Sequence, residues 1–221
     1  MRSNRFAEIG HHEKQHVAFL SSALGSKATK ACSYNFGVTD VKSFVATAQL
    51  LEGVGVSAYL GAAASITNPA YLTAAGSILT TEARHESWVN SIPLLDDAFP
   101  KPFDTPLNFN QTFSLAAPLI KNCPSTNPKL PVVAFPKLAL KPSVPRGGAT
   151  VTVTADKLSS GKYLAFLSGL QTYYAPVVNG KATVPQEVGY GRIYAVLVKS
   201  KKVTDDTTVA GPFAWDIPHK I

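Results

Sequence analysis

Two Glu-x-x-His units are the residues of this chain best suited to chemistry. Glu13 and His16 form the first unit, Glu82 and His85 form the second, and a further acid, Glu52, lies between them in an apolar run. Residues three apart share one face of a helix, so each unit directs a carboxylate and an imidazole the same way. Such groups together bind divalent cations like iron and manganese.

All three acids fall inside apolar helical stripes, where a side chain is expected to be buried. A lone buried carboxylate must be protonated, paired or bound to a cation, because its desolvation is costly. The five side chains therefore predict a metal-related site. Two alternatives stay open: a metal-free relic in which these groups hydrogen-bond to each other, and simple surface positions. The stripes contain Ile9, Glu13, His16 and Leu20; Val45, Ala48, Glu52 and Val56; and Ile78, Glu82, His85 and Val89.

A single Glu-x-x-His unit is a weak motif. Glu8 and His11 form another match that lies off the main stripe. Two units in phase with separate stripes, with Glu52 between them, are more specific. His12 and Glu86 are expected to face solvent or to support the ligands from outside.

Three long helices must position these residues. The periodicity predicts them at residues 5–24, 41–64 and 69–91, with Thr39 or Asp40 capping the second and Asn68 the third. The second helix contains three glycines, each costing about 1 kcal/mol relative to alanine, so we expect it to pack closely against a neighbour. Its glycines are Gly53, Gly55 and Gly61.

A helical bundle is predicted for residues 1–92. Ferritin-like bundles carry Glu-x-x-His on two helices and single glutamates on the other two, joined by one long crossover. The three helices here match the second, third and fourth of that pattern, and nothing upstream of Arg5 supplies the first. We therefore expect an apolar groove and a truncated product, a fragment, or a helix supplied by a second chain.

Residues 93–129 are predicted to be a proline-rich strap, because proline disrupts helix interiors and central strands. Four phenylalanines are expected to dock this strap onto the bundle. They are Phe99, Phe103, Phe109 and Phe113.

From residue 130 onward the apolar period changes to two, which indicates strands. Seven short strands and an Asn179-Gly180 hairpin turn predict an immunoglobulin-like β-sandwich over residues 130–221. The fold class is thus α+β multidomain. The predicted strands are 132–140, 149–155, 162–168, 171–178, 181–184, 190–198 and 207–216.

Charge is divided unevenly along the chain, whose net charge is +7. Residues 1–100 carry 7 basic and 8 acidic residues, whereas residues 101–221 carry 14 and 6. The basic residues are mostly dispersed, so we predict no nucleic-acid binding. The longest apolar run is too short to cross a bilayer, and residues 1–5 lead directly into an amphipathic helix, so neither a transmembrane span nor a signal peptide is predicted.

Cys32 and Cys123 lie in loop-like sequence, and Asn110-Gln111-Thr112 is a glycosylation sequon. Together they favour an oxidised, extracellular setting with a Cys32–Cys123 disulfide and a glycan on Asn110. The alternative is two free thiols and a chance sequon.

Four segments resemble the ferritin-like fungal stress-response proteins, and desiccation-related proteins of plants and bacteria are similar. They are residues 13–24 (EKQHVAFLSSAL), 51–62 (LEGVGVSAYLGA), 75–85 (AGSILTTEARH) and 122–138 (NCPSTNPKLPVVAFPKL). The resemblance implies a secreted or wall-associated protein induced by stress, without a firmly assigned activity. By this resemblance, the positions that are of metal-binding type in the family correspond to Glu13, His16, Glu52, Glu82 and His85.

Two functions follow as hypotheses. In the first, the chain is a stress-response protein with a real or vestigial iron or manganese site. In the second, it is a non-enzymatic surface scaffold or adhesion protein whose sandwich binds a protein or wall glycan. An ordinary hydrolase is disfavoured, because the sequence has no G-x-S-x-G motif.

Overall fold

Three long helices form where the apolar stripes predict them, in a computed structural model that describes residues 2–91 and 97–218. They are α1 (Arg2–Leu24), α2 (Val41–Ala62) and α3 (Pro69–Ser91). Asp40 begins α2 through a reciprocal capping box with Ser43. Asn68 caps α3 by accepting from the backbone amides of Ala70 and Tyr71. The predicted stop at Pro93 and the domain boundary at 92/93 lie outside the described residues.

The glycines of α2 mark its close contacts, as expected. A Cβ at Gly55 would lie 2.7 Å from Glu82 Oε2, and one at Gly53 would lie 2.8 Å from Arg192 Cζ. At Gly61 it would overlap the backbone carbonyl of Leu107. The helix therefore loses propensity at three positions to let three different neighbours approach its backbone.

Helix α1 covers the other two helices with one half-buried stripe and exposes its remaining faces. Phe6, at the start of the stripe, packs edge-on against Phe44 and Trp88, with ring centroids 4.9 and 5.0 Å apart. An apolar groove with a volume of about 540 Å³ lies between the C-terminal half of α1 and the adjoining ends of α2 and α3. Phe19 and Tyr71 are among its lining residues. That a fourth helix would pack there stays a prediction.

The strap is more structured than its prolines suggest. Residues Phe109–Ala116 form a short helix, α4, which Asn108 and Gln111 cap reciprocally. The predicted docking by phenylalanines is wrong for the first three, since Phe99, Phe103 and Phe109 are 85%, 59% and 56% exposed. Leu107 anchors the strap instead: its side chain is buried, and its amide donates to Ser57 O at 3.0 Å.

A disulfide joins Cys32 to Cys123 and ties the α1–α2 connection to the strap. Beside it, strand β1 (Ser33–Tyr34) pairs antiparallel with β2 (Ile120–Asn122). The crosslink closes a loop of 91 residues, so it removes a large part of the conformational freedom of the unfolded chain.

Seven further strands form two antiparallel sheets, one of three strands and one of four. A buried core of both sheets' side chains, including Val151, Phe166 and Trp215, lies between them. Asn179 and Gly180 make the predicted hairpin turn with φ of 51° and 71°. The strands are β3 (Leu138–Lys141), β4 (Thr150–Ala155), β5 (Tyr163–Ser168), β6 (Gln171–Pro176), β7 (Lys181–Thr183), β8 (Gly191–Val198) and β9 (Thr208–Ile217). The order is β3-β4-β7 in the smaller sheet and β6-β5-β8-β9 in the larger one.

The four-stranded sheet is buried on both faces along β5 and β8. Its outer face carries a second apolar cluster that includes Ala165, Tyr194 and Val196, and Leu107 of the strap packs into it. The helical domain and the strap therefore cover this face, so the sandwich and the bundle share an interface. No helix in residues 2–91 or 97–218 is long and apolar enough to cross a membrane.

The glycine contacts lead to a test with a matched control. We expect Gly61→Ala to lower the free energy of unfolding by about 1–3 kcal/mol, because its methyl group would overlap the Leu107 backbone. Gly76→Ala in α3 meets no atom within 4 Å and should stabilise the protein by up to about 1 kcal/mol. Urea denaturation of both variants measures the difference; equal effects would contradict the close contact at Gly61.

Candidate metal centre

Helices α1, α2 and α3 each bring at least one predicted ligand to a common point. Glu13 and His16 lie on the half-buried stripe of α1, Glu52 faces inward from α2, and Glu82 and His85 lie one turn apart on α3. The helical period alone aligns each pair. The missing Cβ at Gly55 leaves the space that the Glu82 carboxylate occupies.

The side chains converge closely. His85 Nδ1 lies 3.1 Å from Glu52 Oε2 and 3.3 Å from Glu13 Oε1. One ligand atom from each of four residues falls in a group whose members all lie within 4.8 Å of one another. These four are Glu13, Glu52, Glu82 and His85, which we call the carboxylate cluster.

His16 is adjacent to the carboxylate cluster rather than a member of it. Its Nδ1 lies 3.4 Å from Glu13 Oε2 and 3.4 Å from Glu82 Oε1. The structure thus brings all five predicted residues together and separates them into four convergent ligands and one neighbour. The exposed Glu8–His11 match takes no part in this group; Glu8 pairs with Arg5 instead.

Two buried atoms at this point have no hydrogen-bond partner, namely Glu13 Oε1 and His16 Nδ1. Glu52, Glu82 and His85 are themselves only 8%, 6% and 6% exposed. Buried polar atoms are nearly always satisfied, so unpaired ones aimed at a carboxylate-rich point need an explanation. A cation bound between them would supply it.

The ionisation of the carboxylate cluster reflects burial and crowded negative charge. Burial and the charges of Glu13 and Glu52 raise the pKa of Glu82 to about 8. Burial alone would lower the pKa of His85, but Glu52 and Glu13 outweigh it and raise that pKa to about 9. Burial would raise the pKa of Glu13, yet the proximity of His85 and His16 lowers it. Without a cation, Glu82 and His85 therefore bind protons at neutral pH, which reduces the repulsion among the three acids.

His12 supports the carboxylate cluster from outside. Its Nδ1 lies 2.9 Å from His85 Nε2, so His85 turns its other nitrogen, Nδ1, toward the carboxylates. The sequence allowed two interpretations for His12, facing solvent or supporting the ligands, and both apply, since His12 is exposed and also contacts His85. Partners of this kind fix the ring orientation of a ligating histidine.

Glu86 belongs to a different buried group. It faces away from the carboxylate cluster and lies 3.4 Å from Arg192 of β8, which also binds Asp216 at 2.8 Å. Sequence reasoning missed this role because Arg192 is more than a hundred residues away and no local pattern connects the two.

Asn110, the predicted glycosylation site, uses both ends of its amide inside the fold. Its Nδ2 donates to Asp205 Oδ2 at 2.8 Å, and its Oδ1 accepts from the Val133 amide at 2.8 Å. A glycan would replace one of the two Nδ2 hydrogens and leave one donor for Asp205. Glycosylation at Asn110 stays a prediction.

The residues present fit a divalent cation. Three carboxylates and an imidazole are hard and intermediate donors of the kind that bind iron and manganese. Glu13 Oε1, which accepts no hydrogen bond, agrees with an ion among them. The usual ferritin-like set contains one glutamate more than the five residues here.

Two comparisons identify the relatives of this chain. The family profile of the ferritin-like domain matches residues 2–94. Protein rds1 of Schizosaccharomyces pombe is 34% identical over 134 residues, which cover 60% of this chain and 33% of that protein. The chain thus matches about a third of the length of this relative. Residues 2–94 are therefore a ferritin-like domain, and the chain is similar to protein rds1.

Proposed function

We propose that this chain is a stress-response protein that binds iron or manganese in its ferritin-like domain and acts outside the cell. One observation carries the metal part: four ligand atoms within 4.8 Å of one another, three of them from carboxylates. The unpaired Glu13 Oε1 beside them supports it. The similarity to ferritin-like stress-response proteins supports the stress role.

Each residue of the carboxylate cluster has a distinct part in binding. Glu52 and Glu82, both buried, would supply fixed charge; Glu13, half-buried on α1, lies on the solvent side. His85 would add a nitrogen whose direction His12 sets. A redox-active ion held here would supply Fe(II) oxidation or reactions with oxygen and peroxide.

The donor count favours one cation in the chain as described. Four convergent ligand atoms suffice for one ion, and His16 is near enough to join through a rotation of its ring. A second ion would need further oxygen ligands, because the five residues lack one glutamate of the full di-metal set.

The extracellular location is supported by the disulfide. Cys32 and Cys123 are joined, and disulfides persist mainly in oxidising compartments. The resemblance to secreted stress-response proteins points the same way. We propose secretion or association with the cell wall on these two grounds.

Metal content is the direct test of the proposed function. We expect the chain, purified without chelator and dialysed against Mn²⁺ or anaerobic Fe²⁺, to hold about one ion. Glu13→Gln should weaken binding by more than about tenfold, because it removes a ligand charge. Mass spectrometry for metals and electron paramagnetic resonance titration with Mn²⁺ measure the effect.

Glu8→Gln is the matched control, because Glu8 lies on the same helix, belongs to the other Glu-x-x-His match and pairs only with Arg5. It should bind metal as the unmodified chain does. A chain that binds no iron or manganese would remove the metal part and leave the scaffold interpretation.

Metal affinity should rise with pH. Glu82, with a pKa of about 8, and His85, with a pKa of about 9, both hold protons at pH 7 in the metal-free chain. A cation must displace those protons, so Mn²⁺ affinity should increase between pH 6 and 9, by up to about tenfold per pH unit for each proton released. Calorimetric titration in two buffers of different ionisation enthalpy counts the protons. An affinity independent of pH would contradict this arrangement.

Secretion is tested separately in cells that make the protein naturally. We expect it in the medium or wall fraction, with no cysteine available for alkylation after denaturation unless a reductant is added first, because Cys32 and Cys123 are joined. Immunoblotting of the fractions with a mass-tagged alkylating reagent measures both properties. Recovery in the cell extract with two alkylated thiols would contradict the proposed location.

A further inference from the structure

One face of α2 is bound to the sandwich through its backbone. Arg192 of β8 donates from Nη2 to Gln49 O at 3.1 Å and from Nη1 to Leu50 O at 3.4 Å. Tyr194, two residues further along β8, donates from its hydroxyl to Gly53 O at 3.3 Å. These three carbonyls lie within one turn of Glu52. The sandwich therefore contacts the backbone that carries a predicted metal ligand.

The hydroxyl of Tyr194 makes a second bond in the same place. It lies 2.8 Å from Ser57 Oγ, so Ser57, Tyr194 and Gly53 O form a short chain of hydrogen bonds. Tyr194 is completely buried and Ser57 nearly so. Buried bonds of this type hold their groups closely, because a lost partner leaves a desolvated polar atom behind.

Two glycines of α2 leave room for side chains on opposite sides of the helix. One allows the sandwich to contact the α2 backbone, and the other makes space on the side of the carboxylate cluster. Gly53 faces Glu86 and Arg192, where a Cβ would collide with both side chains. Gly55 faces the Glu82 carboxylate. The turn of α2 around Glu52 therefore lies between the sandwich and the carboxylate cluster. Its position along the helix axis and its rotation about that axis depend on contacts with both.

The side chain of Arg192 is only 10% exposed, and its charge is compensated by two acids. Asp216 Oδ1 at 2.8 Å and Glu86 Oε1 at 3.4 Å face its guanidinium, together with the two α2 carbonyls. A buried ion pair with several bonds tolerates little displacement. Strand β8 is therefore a rigid support for α2.

We propose that Tyr194 and Arg192 are positioning residues of the metal centre, which act by setting the place of the Glu52 turn. The β-sandwich is then a structural part of the site rather than an independent binding module. This inference rests on the proposed function. Ligands must be held within about 0.5 Å of their productive geometry, so contacts that fix the Glu52 turn also affect the site.

Cobalt binding by the full chain tests the inference, because Co²⁺ reports affinity and ligand geometry through its visible absorption. We expect Tyr194→Phe, which removes only the hydroxyl, to weaken Co²⁺ binding by about tenfold and to change the absorption spectrum. Ser57→Ala removes only the bond between Ser57 and Tyr194 and leaves the bond to Gly53 O, so it should weaken Co²⁺ binding less, and it provides the test if Tyr194→Phe does not fold. The double variant should bind Co²⁺ no more weakly than Tyr194→Phe alone.

Asp205→Ala is the control for a general loosening of the two domains. Asp205 also joins the strap to the sandwich, through Asn108 and Asn110, but distant from Glu52. It should leave Co²⁺ affinity unchanged. Wild-type affinity in Tyr194→Phe, or equal weakening in Tyr194→Phe and Asp205→Ala, would overturn the positioning role while the proposed function stands. A wild-type chain that binds no Co²⁺ would overturn both.

Discussion

Helix α2 is buried between two sets of ionisable groups, and the rest of the structure depends on how it is held there. On one side Arg192 and Tyr194 bind its backbone carbonyls. On the other side Glu52 enters the carboxylate cluster. A helix buried in this way needs small residues at its contacts, and Gly53 and Gly55 supply them at a cost in helix propensity. The bundle and the sandwich are joined by this shared helix.

The group around Arg192 and the carboxylate cluster differ in how their negative charge is compensated. This difference indicates a structural role for the first and a binding role for the second. Glu86 and Asp216 face a guanidinium, and Arg192 in turn has its donors satisfied by α2. The carboxylate cluster has three acids facing imidazoles and no arginine or lysine partner among the ion pairs of the described residues. The first group is complete without an ion. The second keeps its acids neutral or paired only through bound protons, which a cation can replace.

Much of the fold was predictable from local patterns. The caps at Asp40 and Asn68, the hairpin at Asn179-Gly180 and the alternation along β4 are properties of neighbouring residues, and the structure contains all of them. The structure of the strap was harder to predict, because its many prolines argued against a helix although Asn108 and Gln111 form the capping box that begins α4. Its exposed phenylalanines show that aromatic content alone does not identify an anchor; Leu107 fills that role.

For the candidate site, the sequence by itself determined which residues converge in type and phase: Glu13, His16, Glu52, Glu82 and His85 lie on core-facing stripes because the helical period places them there. Only the tertiary structure decided that four of them form one group, that His12 orients His85, and that Arg192 and Tyr194 hold the Glu52 turn. Between elements, these contacts join residues 33 to 143 positions apart. The spacing of residues along a helix determines the direction in which their side chains point. The distances between side chains on different helices and sheets are set only by the packing of the whole chain.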